Sequence, residues 1–241
     1  MVGAGDMVGT GDMVGTGDMV GTGDVAGSGD PVGAGDVGTD RWPAGLRAAG
    51  EALALEAARY ASFGWMRATS GNLSVVLCRA PLRLAVTASG LDKSELRPDD
   101  VAVIDAAGAP WPVGPARQPS AEAALHARLA EVAGAGAVVH VHTIASVRAA
   151  DRWPGGVEFE GLEMLKALGR AADGDRVRIP VVGNSQNMID LGDRIVALRD
   201  PRTPAILIAR HGLYAWGDDL GAARRHTEAV QWLLEWALAN G

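Results

Sequence analysis

Two histidines at a spacing of two, His140 and His142, are the residues best placed to do chemistry together. They fall at the end of a short apolar run, residues 137–141, whose composition predicts a strand. Because side chains alternate between the faces of a strand, both imidazoles would point the same way, about 7 Å apart along the chain. Histidine is the commonest nitrogen ligand for metals, so the pair could hold a metal ion. Taken alone, such a pair is more often two satisfied histidines at a strand end.

A third histidine, His211, follows the fully apolar strand predicted over 205–209 and precedes Gly212. A side chain in that position would lie at the end of the sheet, where pockets form. Three protein ligands leave one coordination position open for substrate or water, as in catalytic zinc sites. The other two histidines, His126 and His226, fall inside predicted helices, and we assign them surface or packing roles.

Three polar turns of small residues, Ser70-Gly71-Asn72, Ser89-Gly90 and Pro119-Ser120, could bind an anion. They offer backbone N–H groups and hydroxyls, which suit a phosphate when several such turns converge. Each turn alone is usually only a turn. The sequence contains no dinucleotide or P-loop fingerprint, so the phosphate would belong to a small substrate.

Glu122 and Glu163 are the candidate proton carriers. Glu122 falls in the first turn of a predicted helix, for which Ser120 is a plausible N-cap. Glu163 stands between Leu162 and Met164 in an apolar stretch, where burial would raise the pKa of its carboxyl into a range useful for proton transfer. The ordinary alternative for both is a solvated helix face.

The elements that must position these residues alternate between helices and strands. Helices are predicted over 44–66, 119–132, 143–150, 159–169, 188–198 and 220–239, and strands over 73–78, 82–87, 99–104, 137–141, 177–182, 205–209 and 213–216. The order has no strict β-α-β rhythm, and several strands are joined as hairpins. It therefore predicts an α/β fold with a mixed or antiparallel sheet covered by helices.

Residues 1–40 repeat a six-residue unit of the type Met-Val-Gly-Thr-Gly-Asp. Two glycines in each unit make the backbone costly to order, and one valine buries too little to offset that cost. The segment is predicted to be a disordered low-complexity tail rather than a stacked β-solenoid, and residues 41–241 to form the folded domain. The tail holds seven of the 29 acidic residues, and the 22 that are left equal the 22 lysines and arginines.

Composition also excludes several classes of function. No basic patch indicates a nucleic-acid partner, and the longest apolar stretches are too short to span a membrane. The single cysteine, Cys78, excludes an internal disulfide and fits a reducing compartment. Because the N-terminus also lacks the features of a secretory signal, we expect a cytoplasmic protein.

Five of these motifs occur in an order and at spacings that resemble the class II aldolase/adducin-head family, over about residues 43 to 240. They are Ser70-Gly-Asn-Leu-Ser74, Thr87-Ala-Ser-Gly90, Pro119-Ser-Ala-Glu122, His140-Val-His142 and Arg210-His-Gly212. The resemblance implies a three-layer α-β-α fold with a mostly antiparallel central sheet, assembled as a homotetramer with sites near subunit interfaces.

The resemblance also implies roles for individual residues. Zinc would be held by His140, His142 and His211, and the substrate phosphate would be bound by Asn72, Ser89, Gly90 and Ser120. Glu122 matches the catalytic, metal-associated glutamate of the aldolases, and Glu163 matches the acid/base of the dehydratases. One departure is Ala121, because the aldolases often carry a second serine there.

Other stretches resemble the methylthioribulose-1-phosphate dehydratase branch of the family. They are Ser89-Gly-Leu-Asp-Lys93, Glu163-Met-Leu-Lys166 and His211-Gly-Leu-Tyr-Ala-Trp216. The expected activity is a hydro-lyase that converts 5-methylthioribulose 1-phosphate to 2,3-diketo-5-methylthiopentyl 1-phosphate in methionine salvage. The alternatives are a sugar-phosphate aldolase or epimerase of the fuculose or ribulose phosphate type, and a non-catalytic binding module like the adducin head. Retention of three histidines and two glutamates argues against the binding module.

Overall fold

A seven-stranded sheet is the centre of this structure, a computed structural model that describes residues 42–241. The predicted tail over 1–40 lies outside the described residues. The strands are β1 (Asn72–Arg79), β2 (Leu82–Thr87), β3 (Val101–Ile104), β4 (Ala137–Val141), β5 (Val157–Glu160), β6 (Arg176–Ile179), β7 (Val181–Val182), β8 (Ala205–Ile208) and β9 (Gly212–Gly217). The α-helices are α1 (Trp42–Ser62), α2 (Ala123–Val132), α3 (Ile144–Arg152), α4 (Met188–Leu198) and α5 (Leu220–Asn240).

The strand order in the large sheet is β3-β2-β1-β4-β9-β8-β7. Every neighbouring pair is antiparallel except β7 and β8, which are parallel. One face of the sheet packs against α1, α3 and α5, and the other against α2 and α4. The predicted α/β class, with three layers and a mostly antiparallel sheet, is therefore confirmed.

The last helix, α5, shows why the apolar pattern predicted these elements well. Asp219 precedes it as N-cap, and its carboxylate accepts the N–H of Ala222 at 2.7 Å. The apolar positions expected to face the core are all buried: Ala223, Val230, Leu233, Leu234 and Ala237. Each large side chain buried in this way stabilises the fold by roughly 1.5–3 kcal/mol. Helix α5 consequently covers β9 and β4, the strands next to the histidines.

The predicted helix over 159–169 is partly wrong. Val157–Glu160 is a strand whose residues alternate between buried and exposed, and it pairs with β6 in a separate two-stranded sheet. Only Glu163–Leu168 is helical, as a 3₁₀ helix, and the glycine expected to end it, Gly169, does so with a φ of 73°. The local pattern missed the strand because its partner follows about twenty positions later in the chain.

The strand predicted over 177–182 is two strands. Pro180, which has no backbone N–H to donate to a ladder, separates β6 from β7. Strand β6 pairs with β5 outside the large sheet, whereas β7 lies at the edge of the large sheet beside β8. Other boundaries move less: α1 ends at Ser62 rather than 66, and β3 begins at Val101 rather than 99.

Of the helices within residues 42–241, not one combines the length and the apolar character that crossing a lipid bilayer requires.

Candidate metal centre

His140 lies in the middle of the sheet, on strand β4 between β1 and β9. Its direct neighbours across the two ladders are Asn72 and Tyr214, so the three residues form one row across the strands. His142 follows the end of β4, and its backbone N–H donates to the carbonyl of Trp65 at 3.0 Å. The spacing of two therefore places both imidazoles on the α2 face of the sheet, as the sequence predicted.

His211 reaches the same place from the turn between β8 and β9. Arg210 adopts a φ of 56° in this turn, and Gly212 lets the backbone approach β4 closely. A Cβ atom added at Gly212 would stand 2.4 Å from the carbonyl oxygen of Val141 and 3.1 Å from Cε1 of His140. Only glycine fits at this position, and that close approach brings the third histidine to the other two.

The three imidazoles meet through their Nε2 atoms. Nε2 of His140 lies 2.8 Å from Nε2 of His142 and 3.3 Å from Nε2 of His211. Glu122 completes the cluster, with Oε2 3.3 Å from Nε2 of His140 and Oε1 3.3 Å from Nε2 of His211. One ligand atom from each of the four residues lies within 4.8 Å of all the others.

The residues of this cluster fit a divalent metal ion. Nδ1 of His140 donates to the carbonyl oxygen of Leu213 at 3.0 Å, so its Nε2 carries the lone pair. Burial lowers the pKa of His140 well below its usual value and also lowers that of His142, which keeps both imidazoles neutral. Three neutral imidazole nitrogens and a carboxylate that converge in this way form a donor set that suits zinc.

A buried chain of hydrogen bonds behind Glu122 contains His126. The sequence analysis placed this histidine in a surface or packing role. The amide nitrogen of Asn72 donates to Oε2 of Glu122 at 2.8 Å and to Oγ of Ser120 at 3.0 Å. The amide oxygen therefore faces His126, which must donate from Nε2 at 2.5 Å, while its Nδ1 accepts from the hydroxyl of Ser74 at 2.7 Å. His126 is fully buried, and burial lowers its pKa to about 4. Motif spacing could not reveal this contact, since Ser74 and Asn72 are about fifty positions away.

Tyr214 is a second residue that sequence reasoning did not place in the site. Its ring stacks on the imidazole of His140, with centroids 4.0 Å apart and planes at 17°. Its hydroxyl is buried and has no hydrogen-bond partner among residues 42–241, and burial together with the nearby charge of Glu122 raises its pKa well above the usual value. Tyr214 thus fixes the ring plane of His140 from one side.

The three donor-rich turns converge beside the metal cluster, around a cavity of about 170 Å³. All four predicted phosphate-binding residues line it: Asn72, Ser89, Gly90 and Ser120. Glu122 and His142 line the same cavity, so it adjoins the cluster. Lys93 lines it as well, although the sequence analysis gave that residue no role.

Ser120 is not the N-cap of α2, as the sequence predicted. The helix begins at Ala123 and Glu122 is its N-cap residue, without a capping side chain. The Ser120 hydroxyl instead accepts from the N–H of Glu122 at 3.2 Å and from Asn72. The side chain of Glu122 is consequently free to turn toward the histidines.

Glu163 is not part of the cluster. It begins the 3₁₀ helix, its side chain is 79% exposed, and its carboxylate pairs with Lys166 at 2.6 Å. The expectation that Glu163 is buried is wrong, because the apolar residues around it, Leu162 and Leu165, turn inward and leave it on the outer side. Its role as acid/base is a prediction that this single chain does not test.

Comparisons with known proteins agree with this geometry. The family described as Class II Aldolase and Adducin N-terminal domain matches residues 51–238. A methylthioribulose-1-phosphate dehydratase of Geobacillus thermodenitrificans is 38% identical over 181 residues, which are 74% of this chain and 85% of that protein. The enzyme of the same name from Persephonella marina is 34% identical over 175 residues, which are 72% of this chain and 81% of that protein.

A solved structure shows the same fold at lower sequence identity. An L-fuculose-1-phosphate aldolase from Thermus thermophilus superposes with a TM-score of 0.58 at 22% identity, covering 82% of this chain and 97% of that one.

Proposed function

The chain belongs to the class II aldolase and adducin N-terminal domain family, and we propose that it is a zinc-dependent dehydratase of 5-methylthioribulose 1-phosphate. The product would be 2,3-diketo-5-methylthiopentyl 1-phosphate, in the salvage of methionine. Relatives that carry the name of this dehydratase are 33–38% identical to the chain. This supports a lyase reaction on a small phosphorylated sugar.

The observation that carries the proposal is the junction between two sites. A cluster of three histidines and Glu122 shares a wall with a cavity lined by hydroxyl, amide and turn donors. A ketose 1-phosphate has a phosphate on C1 and oxygens on C2 and C3, so one molecule could occupy both sites. Glu122 and His142 stand at the junction between them.

In the proposed reaction, His140, His142 and His211 would hold a zinc ion, which would supply Lewis acidity to the oxygens of the substrate. Asn72, Ser89, Gly90 and Ser120 hold the phosphate and so fix the carbon chain. Negative charge develops on the C2 oxygen as the C3 proton is removed.

Glu163 is proposed to take the C3 proton. The electron pair of the broken C3–H bond is held first as an enolate on the C2 oxygen. It then forms the C3–C4 double bond, and the C2 carbonyl is restored, as the C4–O bond breaks. A proton returned to the C4 hydroxyl lets it leave as water, and the resulting enol tautomerises to the diketone. We assign Glu122 a supporting role, because its carboxylate accepts from Asn72 and lies 3.3 Å from Nε2 of His140 and of His211.

The decisive measurement is turnover of 5-methylthioribulose 1-phosphate by the purified protein, with and without a chelator. Glu163→Gln should lower kcat by about 10²-fold or more, the usual range for loss of a general acid/base. Glu160→Gln is the matched control, since Glu160 is an exposed glutamate three positions away that pairs with Arg176 at 2.8 Å. Near-normal turnover by Glu163→Gln would rule out its assigned role.

A second candidate is a sugar-phosphate aldolase or epimerase that uses the same metal. The location of Glu122 among the histidines favours it, because the resemblance assigns the catalytic role of the aldolases to that glutamate. Fuculose 1-phosphate and ribulose phosphates should be assayed beside the methylthio sugar. Faster cleavage or inversion of those sugars than dehydration would establish this alternative.

We further propose that residues 41–241 form the catalytic domain, that the protein is cytoplasmic, and that four copies assemble with their sites near subunit interfaces. In such a tetramer a neighbouring subunit would shield the exposed carboxylate of Glu163 from water. Light scattering on the protein as it leaves a size-exclusion column measures the number of subunits. A monomer with full activity would contradict the proposed tetramer. Metal analysis of the purified protein tests zinc.

A further inference from the structure

Lys93 is a buried cation beside the donor-lined cavity. Only 1% of the residue is exposed, although it is a lysine. Its ammonium donates to the carbonyl oxygens of Thr69 at 3.1 Å and Leu91 at 2.8 Å. An ammonium has three N–H donors, so one is left over after these two contacts.

No carboxylate neutralises this ammonium within the described part of the chain. Neither of its hydrogen-bond partners carries a charge, and no acidic oxygen within residues 42–241 lies within ion-pair distance of it. The adjacent Asp92 is exposed and accepts instead from the N–H and hydroxyl of Ser94. Burial lowers the pKa of Lys93, and the charge of Asp92 only partly opposes that effect. A buried charge without a counter-ion is costly, and an anion bound beside Lys93 would offset that cost.

The residues around Lys93 offer hydrogen-bond donors that could bind a phosphate group. Among the residues described as lining the cavity, Lys93 is the only lysine or arginine. The other donors at the cavity are neutral: the hydroxyls of Ser89 and Ser120 and the backbone at Gly90. Gly90 has a φ of 74°, and nothing lies within 4 Å of the place where a Cβ would stand, so its backbone is open to a ligand.

We propose that Lys93 is the cationic phosphate-binding residue of this site, with its third N–H donated to a phosphate oxygen of the substrate. The inference rests on the proposed function only in taking the substrate to be a phosphate ester. Lys93 compensates for the charge that neutral hydroxyls and amides cannot balance. The competing explanation is a purely structural one, in which Lys93 only ties the Thr69 turn to the Leu91 turn.

The chain offers a direct test, because Lys93 and Lys166 are its only two lysines. Protein labelled with ¹³C and ¹⁵N at lysine gives two side-chain signals, and Lys166→Met assigns them. Inorganic phosphate, compared with chloride at equal ionic strength, should shift the Lys93 signal in a saturable way and leave Lys166 unmoved. A Lys93 signal that does not respond overturns the proposal, and this experiment needs no variant of Lys93 to fold.

The Lys93→Met variant gives the affinity. We expect its binding of inorganic phosphate, measured by calorimetry, to be about 10–100-fold weaker, as for loss of a charge-assisted hydrogen bond. Arg47→Met is the control and should bind phosphate normally, because Arg47 is exposed and pairs with Glu51 on helix α1. Equal phosphate affinity in Lys93→Met and the unaltered protein also overturns the proposal.

Steady-state kinetics distinguish a role of Lys93 in binding the substrate phosphate from a purely structural role. Lys93→Met should raise KM for 5-methylthioribulose 1-phosphate far more than it lowers kcat. If Lys93 only tied the two turns together, its loss would lower kcat as much as it raised KM. If phosphate binds at Lys93 but the phosphorylated sugar is not dehydrated, the proposed function fails while the Lys93 site stands.

Discussion

Replacing His126 by glutamine should change how the stability of the fold depends on pH. His126 is fully buried and neutral, with Nε2 donating to Asn72 and Nδ1 accepting from Ser74. Glutamine retains one donor and one acceptor but does not titrate. The substitution therefore removes a buried ionisable group, while the glutamine amide can still form a hydrogen bond with Asn72 or Ser74.

The magnitude follows from the pKa of His126, which burial lowers from 6.5 to about 4 and which the charge of Glu122 raises only in part. At about 1.36 kcal/mol for each pKa unit, this fall corresponds to about 3 kcal/mol. Between these two pH values the unfolded chain binds the proton that the folded chain excludes. The contribution to stability is therefore complete above about pH 6.5 and is lost as the pH falls toward 4.

Equilibrium urea unfolding of both proteins, from about pH 7.5 to about pH 4.5 with chelator present, measures this difference. The unaltered protein should lose about 3 kcal/mol more than His126→Gln over that range, or about 6–12 °C in thermal midpoint for a chain of this size. His226→Gln is the matched control, because His226 is only partly buried and its hydrogen bond to the carbonyl of Trp216 opposes the lowering of its pKa by burial. If His126→Gln and the unaltered protein lose stability in parallel, within about 0.5 kcal/mol, then His126 is not a buried, neutral histidine with a lowered pKa.

Three further predictions concern the cluster and the fold around it. Metal removal by a chelator should lower the thermal midpoint, and zinc at about 100 times its Kd should restore about 2.7 kcal/mol, measured by calorimetry; no response would contradict a metal site. Gly212→Ala should cost about 1–3 kcal/mol and weaken metal binding at least about tenfold, because its Cβ would meet Val141 and His140, whereas Gly45→Ala, with nothing within 4 Å, should do neither. Asp219→Ala should cost about 0.5–2 kcal/mol of unfolding free energy through loss of the α5 cap, and an unchanged denaturation curve would show that the cap is unimportant.

The sequence predicted the large sheet well because its strands are short apolar runs that end in turns. The run 137–141 and the fully apolar run 205–209 need no partner to be recognised as buried strands. The convergence of His140, His142 and His211 followed from the same elements, since two of the histidines share a strand face and the third ends a neighbouring strand. Their geometry is now described, while their role as ligands is still a prediction.

The sequence failed where an element depends on a distant partner. Strand β5 has four residues, two of them exposed glutamates, and only its pairing with β6 holds it extended. The exposure of Glu163 has the same origin, because the direction in which the 3₁₀ helix turns its apolar side depends on α5. His126 was missed for a related reason: its polar partners, Ser74 and Asn72, lie across the fold and not in the same motif.

The row formed by Asn72, His140 and Tyr214 makes the site a test of correct strand registration. A slip of one residue in either ladder would send one member of the row to the opposite face of the sheet, among the apolar side chains beneath α1 and α5. A chain that folded in such an alternative arrangement would keep much of its secondary structure and lose the ligand set completely. Metal affinity therefore distinguishes correctly assembled molecules from near-native misfolded ones, which spectroscopy of secondary structure would not separate.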